Sequence, residues 1–122
     1  MEKLIVDIKV YDLNRAINFY QNVIGLPLIH KEDYWASFEA FGAEIHLYIH
    51  GGINSNVEFM VSDIKEEVKN LKNKGVKFFV DKNQPNIIRI VFGEIMIFPW
   101  GKIAFFRDSE NNQLALVEDK KA

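Results

Sequence analysis

A chain of 122 residues, 48% of them apolar, with 15 Lys and Arg against 17 Asp and Glu, has the size and balance of one globular domain. Its formal charge of −2 gives no electrostatic reason to bind nucleic acid or an anionic membrane, and neither is expected as a partner. The absence of cysteine excludes a disulfide framework, a thiolate nucleophile and a Cys-based zinc or iron–sulfur centre, and it fits a reducing compartment.

The N-terminal stretch MEKLIVDIKVYD carries charges every few positions and lacks an apolar core followed by a small-residue cleavage site. It is therefore not read as a signal peptide, and no segment has the apolar length that spans a bilayer, so a cytoplasmic location is expected. The stretch begins as a strand whose apolar side is Val6, Ile8 and Val10. Asp12 then offers a carboxylate to cap a helix, apolar residues follow at helical spacing (Leu13, Ala16, Ile17, Tyr20, Val23 and Ile24), and Gly25 supplies the stop. Three strand-like runs come next, LPLIHK, YWASFEAF and AEIHLYIH, punctuated by FGA and HGGIN.

From Phe59 the chain repeats itself. FMVSDIKEEVKNLKNKG lines up with IKVYDLNRAINFYQNVIG at one constant offset: Val61 with Val10, Asp63 with Asp12, Ile64 with Leu13, Val68 with Ile17, and Leu71 with Tyr20. Asp63 and Glu66 have capping-box spacing, and Gly75 closes the second helix. Strand-like runs follow again, among them VKFFV, IIRIVF, EIMIF, IAFFRD and QLALVE. The expected architecture is α+β, a single domain of two βαβββ modules, about 1–52 and 53–122, forming a curved mixed sheet.

Strand parity predicts what each face of that sheet meets. Val6, Ile8 and Val10, Ile45, Leu47 and Ile49, Val57, Phe59 and Val61, and Leu114 and Leu116 form an apolar face for the helices. The opposite face mixes Ile5, Asp7 and Lys9 with Glu44, His46 and Tyr48, Asn56, Glu58 and Met60, and Gln113, Ala115 and Val117. A lined concavity or an interface accounts for that mixture better than bulk water does.

The paired modules, together with PWGKIAFFRDSENNQLALVE at the end, resemble the glyoxalase/bleomycin resistance/dioxygenase superfamily, also called vicinal oxygen chelate proteins, over essentially the whole chain. Pro99, Trp100, Gly101, Phe106 and Asp108 fit that family's Pro-Trp-Gly signature, while Ser109 and Asn111 replace its usual Pro and Gly. Asn tolerates the left-handed conformation that the turn needs. The segment VDKNQPNIIRIVFGEIMIFPWG is longer than the family's usual link, and its many apolar residues predict an extra hairpin around Gly93.

The resemblance implies a divalent ion held by four side chains, at positions that fall here on Ile5, His46, Asn56 and Ala115. His46 alone is a normal ligand, so neither a metal nor another cofactor is expected. Asp7, Glu44 and Glu58 leave a displaced carboxylate–His site as an alternative. His30 and His50 read as surface residues beside turns. The resemblance then implies a metal-independent protein that binds and sequesters a small molecule as a homodimer. Candidate ligand-binding residues are Trp35, Phe38, Glu44, His46, Tyr48, Asn56, Glu58, Trp100 and Phe106, with Tyr34 and Phe98 as further aromatic material. Glu44 and Glu58 favour a cationic or amphiphilic ligand. The alternatives are a metal-dependent lyase, isomerase or dioxygenase with a non-standard site, a metal-free isomerase using His46 or Glu58, and a structural dimer with a filled cup.

Overall fold

A computed structural model describes residues 1–50 and 57–120. Its elements are β1 (Ile5–Lys9), α1 (Leu13–Asn18), a π-helical segment (Phe19–Ile24), β2 (Leu28–Lys31), β3 (Trp35–Ala40) and β4 (Ala43–Tyr48), followed by β5 (Val57–Met60), α2 (Ile64–Asn73), β6 (Phe78–Phe79), β7 (Arg89–Val91), β8 (Ile95–Phe98), β9 (Gly101–Arg107) and β10 (Gln113–Asp119). The fold is α+β. The strands form a four-stranded sheet ordered β1-β4-β3-β2 and a six-stranded sheet in which β5-β10-β9-β8-β7 run side by side and β6 also pairs with β9. The chain divides into two compact units, Met1–Ser55 with Asp108–Asn112, and Asn56–Arg107 with Gln113–Ala122.

In the first unit, Asp12 caps α1 by accepting the Arg15 backbone N–H, as its sequence position predicts. The helix widens into a π-helical turn from Phe19 and ends at Gly25, whose φ of 90° and N–H bond to the Tyr20 carbonyl make the expected left-handed cap. β1 runs parallel to β4 and places Ile8 and Leu47 side by side, both fully buried. With Val10, Phe38, Ile45, Ala16, Ile17 and Tyr20 they form this unit's core.

In the second unit, Asp63 caps α2 through the Glu66 N–H. The helix ends in a Schellman arrangement, with Val76 N–H on the Leu71 carbonyl at 3.0 Å and Gly75 at φ 91°. Ile64, Val68 and Leu71 pack on the sheet face that carries Ile95, Ala104, Phe106, Leu114 and Leu116. The edge strand of this module is interrupted: β6 and β8 both run antiparallel to β9, and the chain between them makes an excursion that returns through the β7–β8 hairpin. The hairpin turns at Phe92 and Gly93, both at positive φ, where an extra hairpin is predicted from the apolar content of this segment.

Candidate functional site

Direct strand partners of an antiparallel pair, and parallel neighbours in register, point to one face. In the first unit the face away from α1 is therefore built in rows: Lys9, Tyr48 and Trp35; Asp7, His46 and Ser37; Ile5, Glu44 and Glu39. Sequence parity places the β1 and β4 members of these rows together, and the structure adds Trp35 and Ser37 from β3. His30 joins them across from Ser37, after a register shift in β2, with its ring 5.1 Å from that of Trp35. It is a surface residue, as its sequence position predicts, that also touches this ring cluster, and it bonds Glu32 at 2.9 Å.

Trp35 sits at the centre. Its ring lies 6.1 Å from Tyr48 in near-parallel stacking and 5.4 Å from His46. His46 is hydrogen-bonded on both nitrogens, Nε2 to Glu44 Oε1 at 2.8 Å and Nδ1 to the Tyr48 hydroxyl at 3.1 Å. Glu44 also accepts from Lys3 Nζ, and the hydrogen bonds from Lys3 and His46 hold its carboxyl below the usual carboxylate range. Burial, then the charge of Asp7, raises the Tyr48 phenol, so Tyr48 is a neutral hydroxyl at physiological pH. The satisfied arrangement around an ionised Glu44 puts the imidazole proton on Nε2 and leaves Nδ1 to accept from Tyr48. The product is a half-buried panel of rings with a polar relay, Glu44–His46–Tyr48, along one strand.

Two of the predicted ligand contacts belong to the cores instead. Phe38 is fully buried opposite Ile45, its ring 6.0 Å from Tyr20, and Phe106 is fully buried opposite Leu114, its ring 5.4 Å from Phe78. Both lie on the helix-facing side of their strands, Phe38 one residue out of phase with Trp35 and Ser37. Asn56 lies outside the described residues. Tyr34 is exposed, its ring 6.4 Å from His50.

In the second unit the face carrying Glu58, Ala115 and Val117 is not an open semi-polar cup. Ala115 and Val117 are buried with Met96, Phe98, Ile103 and Phe105, and Phe79, Val80, Ile87 and Ile90 pack over them. The excursion between β6 and β8 supplies Val80, Ile87 and Ile90 to this cluster. Glu58 and Met60, on the edge strand β5, stay exposed beside this cluster. Trp100 stacks on Phe98 with ring centres 5.2 Å apart and remains 48% exposed.

The donor set implied by the resemblance does not fit a divalent ion. Ile5 and Ala115 have no donor atom, and His46 commits both nitrogens to Glu44 and Tyr48. Nor do three His, Cys, Asp or Glu side chains gather in metal-holding geometry among the described residues.

No family model and no curated protein matches the sequence. Solved structures do. A lactoylglutathione lyase from Agrobacterium tumefaciens superposes with a TM-score of 0.71 at 18% identity, over 94% of this chain and 91% of that one. TnmS3, an antibiotic-binding protein from Streptomyces sp. CB03234, gives 0.69 at 20% identity, over 98% and 97%. A glyoxalase/bleomycin resistance protein/dioxygenase from Alicyclobacillus acidocaldarius gives 0.70 at 18%, over 98% and 92%. The chain has the glyoxalase/bleomycin resistance fold. No helix among the described residues is long and apolar enough to cross a membrane.

Proposed function

We propose that this protein is a metal-independent small-molecule binder, a cytoplasmic homodimer of single-domain chains, which holds a planar aromatic ligand on the ring panel of Trp35, His46, Tyr48 and His30. The observation that carries this reading is the panel itself: Trp35, His46 and Tyr48 half-buried on the sheet face opposite the helix, with His46 and Tyr48 hydrogen-bonded and the exposed His30 ring beside Trp35. Glu44 is paired with Lys3 and hydrogen-bonded to His46, which weakens the case for a cationic ligand and leaves stacking as the dominant attraction. The antibiotic-binding protein of the same fold supports a binding role by analogy alone. The edge strands β1 and β5 expose Ile5 and Met60, apolar material suited to a second copy, and the lack of cysteine suits a reducing cytoplasm.

One observation favours an enzyme as the second reading. The Glu44–His46–Tyr48 relay is an acid–base chain in which Tyr48 delivers or accepts a proton and Glu44 orients the imidazole. Such a chain suits a metal-free isomerase.

The test combines two titrations. Nickel, zinc, manganese and iron(II) are titrated calorimetrically into wild type and His46→Ala. Planar aromatic antibiotics and metabolites are then screened by thermal shift, with Trp35 emission read in a Trp100→Phe background. The binder reading expects no stoichiometric metal site, and ligands that quench Trp35 and lose their stabilisation in Trp35→Ala. One tightly bound ion per chain, lost in His46→Ala, overturns it; turnover of a screened ligand that Tyr48→Phe abolishes moves the assignment to the enzyme.

A further inference from the structure

The registers of the six-stranded sheet set Arg89 opposite Ile97, Ile97 opposite Lys102, and Lys102 opposite Glu118. These four side chains form one row across β7, β8, β9 and β10, in the parity class of Leu114 and Leu116 that faces α2. Ile88, Phe98, Pro99 and Lys120 complete a cleft of about 260 Å³ around the row. The Pro-Trp-Gly corner read in the sequence as a structural signature thus also supplies a wall.

The charge of this cleft is opposite to that of the chain. Arg89, Lys102 and Lys120 line it against a single carboxylate, Glu118, in a protein of formal charge −2. Glu118 is already committed: Oε1 accepts the Ile64 N–H at the start of α2 at 2.9 Å, and Oε2 lies 3.5 Å from Lys102 Nζ. Arg89 and Lys120 have no ion pair among the described residues. An apolar wall of Ile97 and Pro99 beside two cations without an ion pair among the described residues discriminates among ligands. A neutral amphiphile gains the wall but leaves the cations unmatched, and a cationic one is repelled. The volume falls just below the roughly 300–1,000 Å³ of drug-sized sites, which limits the ligand to a compact body.

We infer that this cleft binds a compact amphiphilic anion, a free carboxylic or sulfonic acid with a short apolar tail, whose head meets Arg89 and Lys120 and whose tail lies on Ile97 and Pro99. The site shares no residue with the ring panel, so it stands independently of the function proposed above.

Octanoate, octanol and octyltrimethylammonium, each below its aggregation threshold, are titrated into the nitrogen-15-labelled full chain, and amide shifts are followed for wild type and for Arg89→Gln/Lys120→Gln. Both substituted residues are exposed, and the single variants provide the same comparison if the double variant folds poorly. Octanoate is expected to move the amides of Ile88, Arg89, Lys102 and Lys120 and to bind at least tenfold more weakly to the double variant. Equal binding of octanol or of the ammonium, unchanged octanoate affinity in the variants, or shifts centred on Trp35 and His46 would each overturn the inference. Phosphatidylglycerol vesicles form the last arm. Sedimentation with the vesicles in the absence of octanoate binding would assign the cations to a lipid surface and reject the free acid.

Discussion

The Tyr20 hydroxyl donates to Asp108 Oδ2 at 2.7 Å, reaching it from inside the π-helical segment that follows α1. The same carboxylate accepts the backbone N–H groups of Glu110 and Asn112 at 2.8 Å and the Asn112 side-chain amide at 2.9 Å, and that amide also bonds the Lys9 carbonyl. Tyr20 and Asp108 are both buried, so every one of these bonds replaces lost water. Tyr20→Phe removes one donor of four and is expected to destabilise the fold by about 1–2 kcal/mol in denaturant unfolding. Asp108→Ala, which removes the acceptor of all four and leaves the Asn112 amide only its bond to the Lys9 carbonyl, should cost more, about 3 kcal/mol or above. A Tyr20→Phe variant as stable as wild type would show that the hydroxyl is dispensable to this cluster.

Two residues along, Glu110 makes the stability of the protein depend on acid. Burial alone would raise its carboxyl, but Arg15, the Asp12 and Tyr11 N–H groups and the Ser109 hydroxyl hold it at about 2 against an ordinary 4.5. Because the folded-state value lies below the unfolded one, Glu110 contributes its stabilisation above pH 4.5 and loses it as pH falls from 4.5 towards 2. At neutral pH Glu110→Gln should cost about 2 kcal/mol, a figure reduced for the solvent exposure of Arg15. The wild-type and variant stability curves should converge in the acid window. A gap that is constant with pH would assign the effect to shape rather than charge.

The sequence makes these acids visible only as a turn. SENN reads as a run of turn formers, and Asn111 does take the left-handed conformation, at φ 68°. The burial of Asp108 and Glu110 against α1 comes from contacts about ninety-five residues apart in sequence, such as Arg15 to Glu110, which no local pattern encodes. Caps, by contrast, are local, and Asp12, Asp63, Gly25 and Gly75 are all where the pattern puts them. The ring panel is legible in part: His46 and Tyr48 follow from β4 parity. Phe38 and Phe106 enter the candidate site by aromatic character alone, and only the β3 and β9 registers show that they face the helices. The β2 register shift that brings His30 to Trp35 leaves no signal in the sequence.

Two glycines separate close approach from backbone conformation. A Cβ added to Gly101 would sit 2.3 Å from the Glu118 carbonyl oxygen, a contact that only separation of β9 from β10 relieves. Gly42 has open space around it and only its φ of +90° against a side chain. Gly42→Ala should therefore cost about 1–2 kcal/mol, whereas Gly101→Ala should cost more, about 3 kcal/mol, and should disturb the amide signals of Asp119 and Lys120. Equal thermal shifts for the two variants would remove the steric explanation.

Exposed phenylalanines occupy the first left-handed position of two hairpin turns, Phe41 before Gly42 at φ 55° and Phe92 before Gly93 at φ 56°, with 87% and 77% of their surfaces open. In such turns Asn or Asp is the favoured partner of Gly, because a short polar side chain relieves the strain that a bulky ring suffers there. Phe92 has one compensating contact, Lys65 Nζ 5.9 Å from its ring centre. Phe41→Asn is accordingly expected to raise stability by about 0.5–1 kcal/mol, and Phe92→Asn by less, since it forfeits the Lys65 contact. Chemical denaturation of the two single variants checks both the sign and the order. Destabilisation by Phe41→Asn would mean that the ring is held by packing not present in the isolated chain, and a second copy of the protein would then be the first place to look for it, through the concentration dependence of the unfolding midpoint.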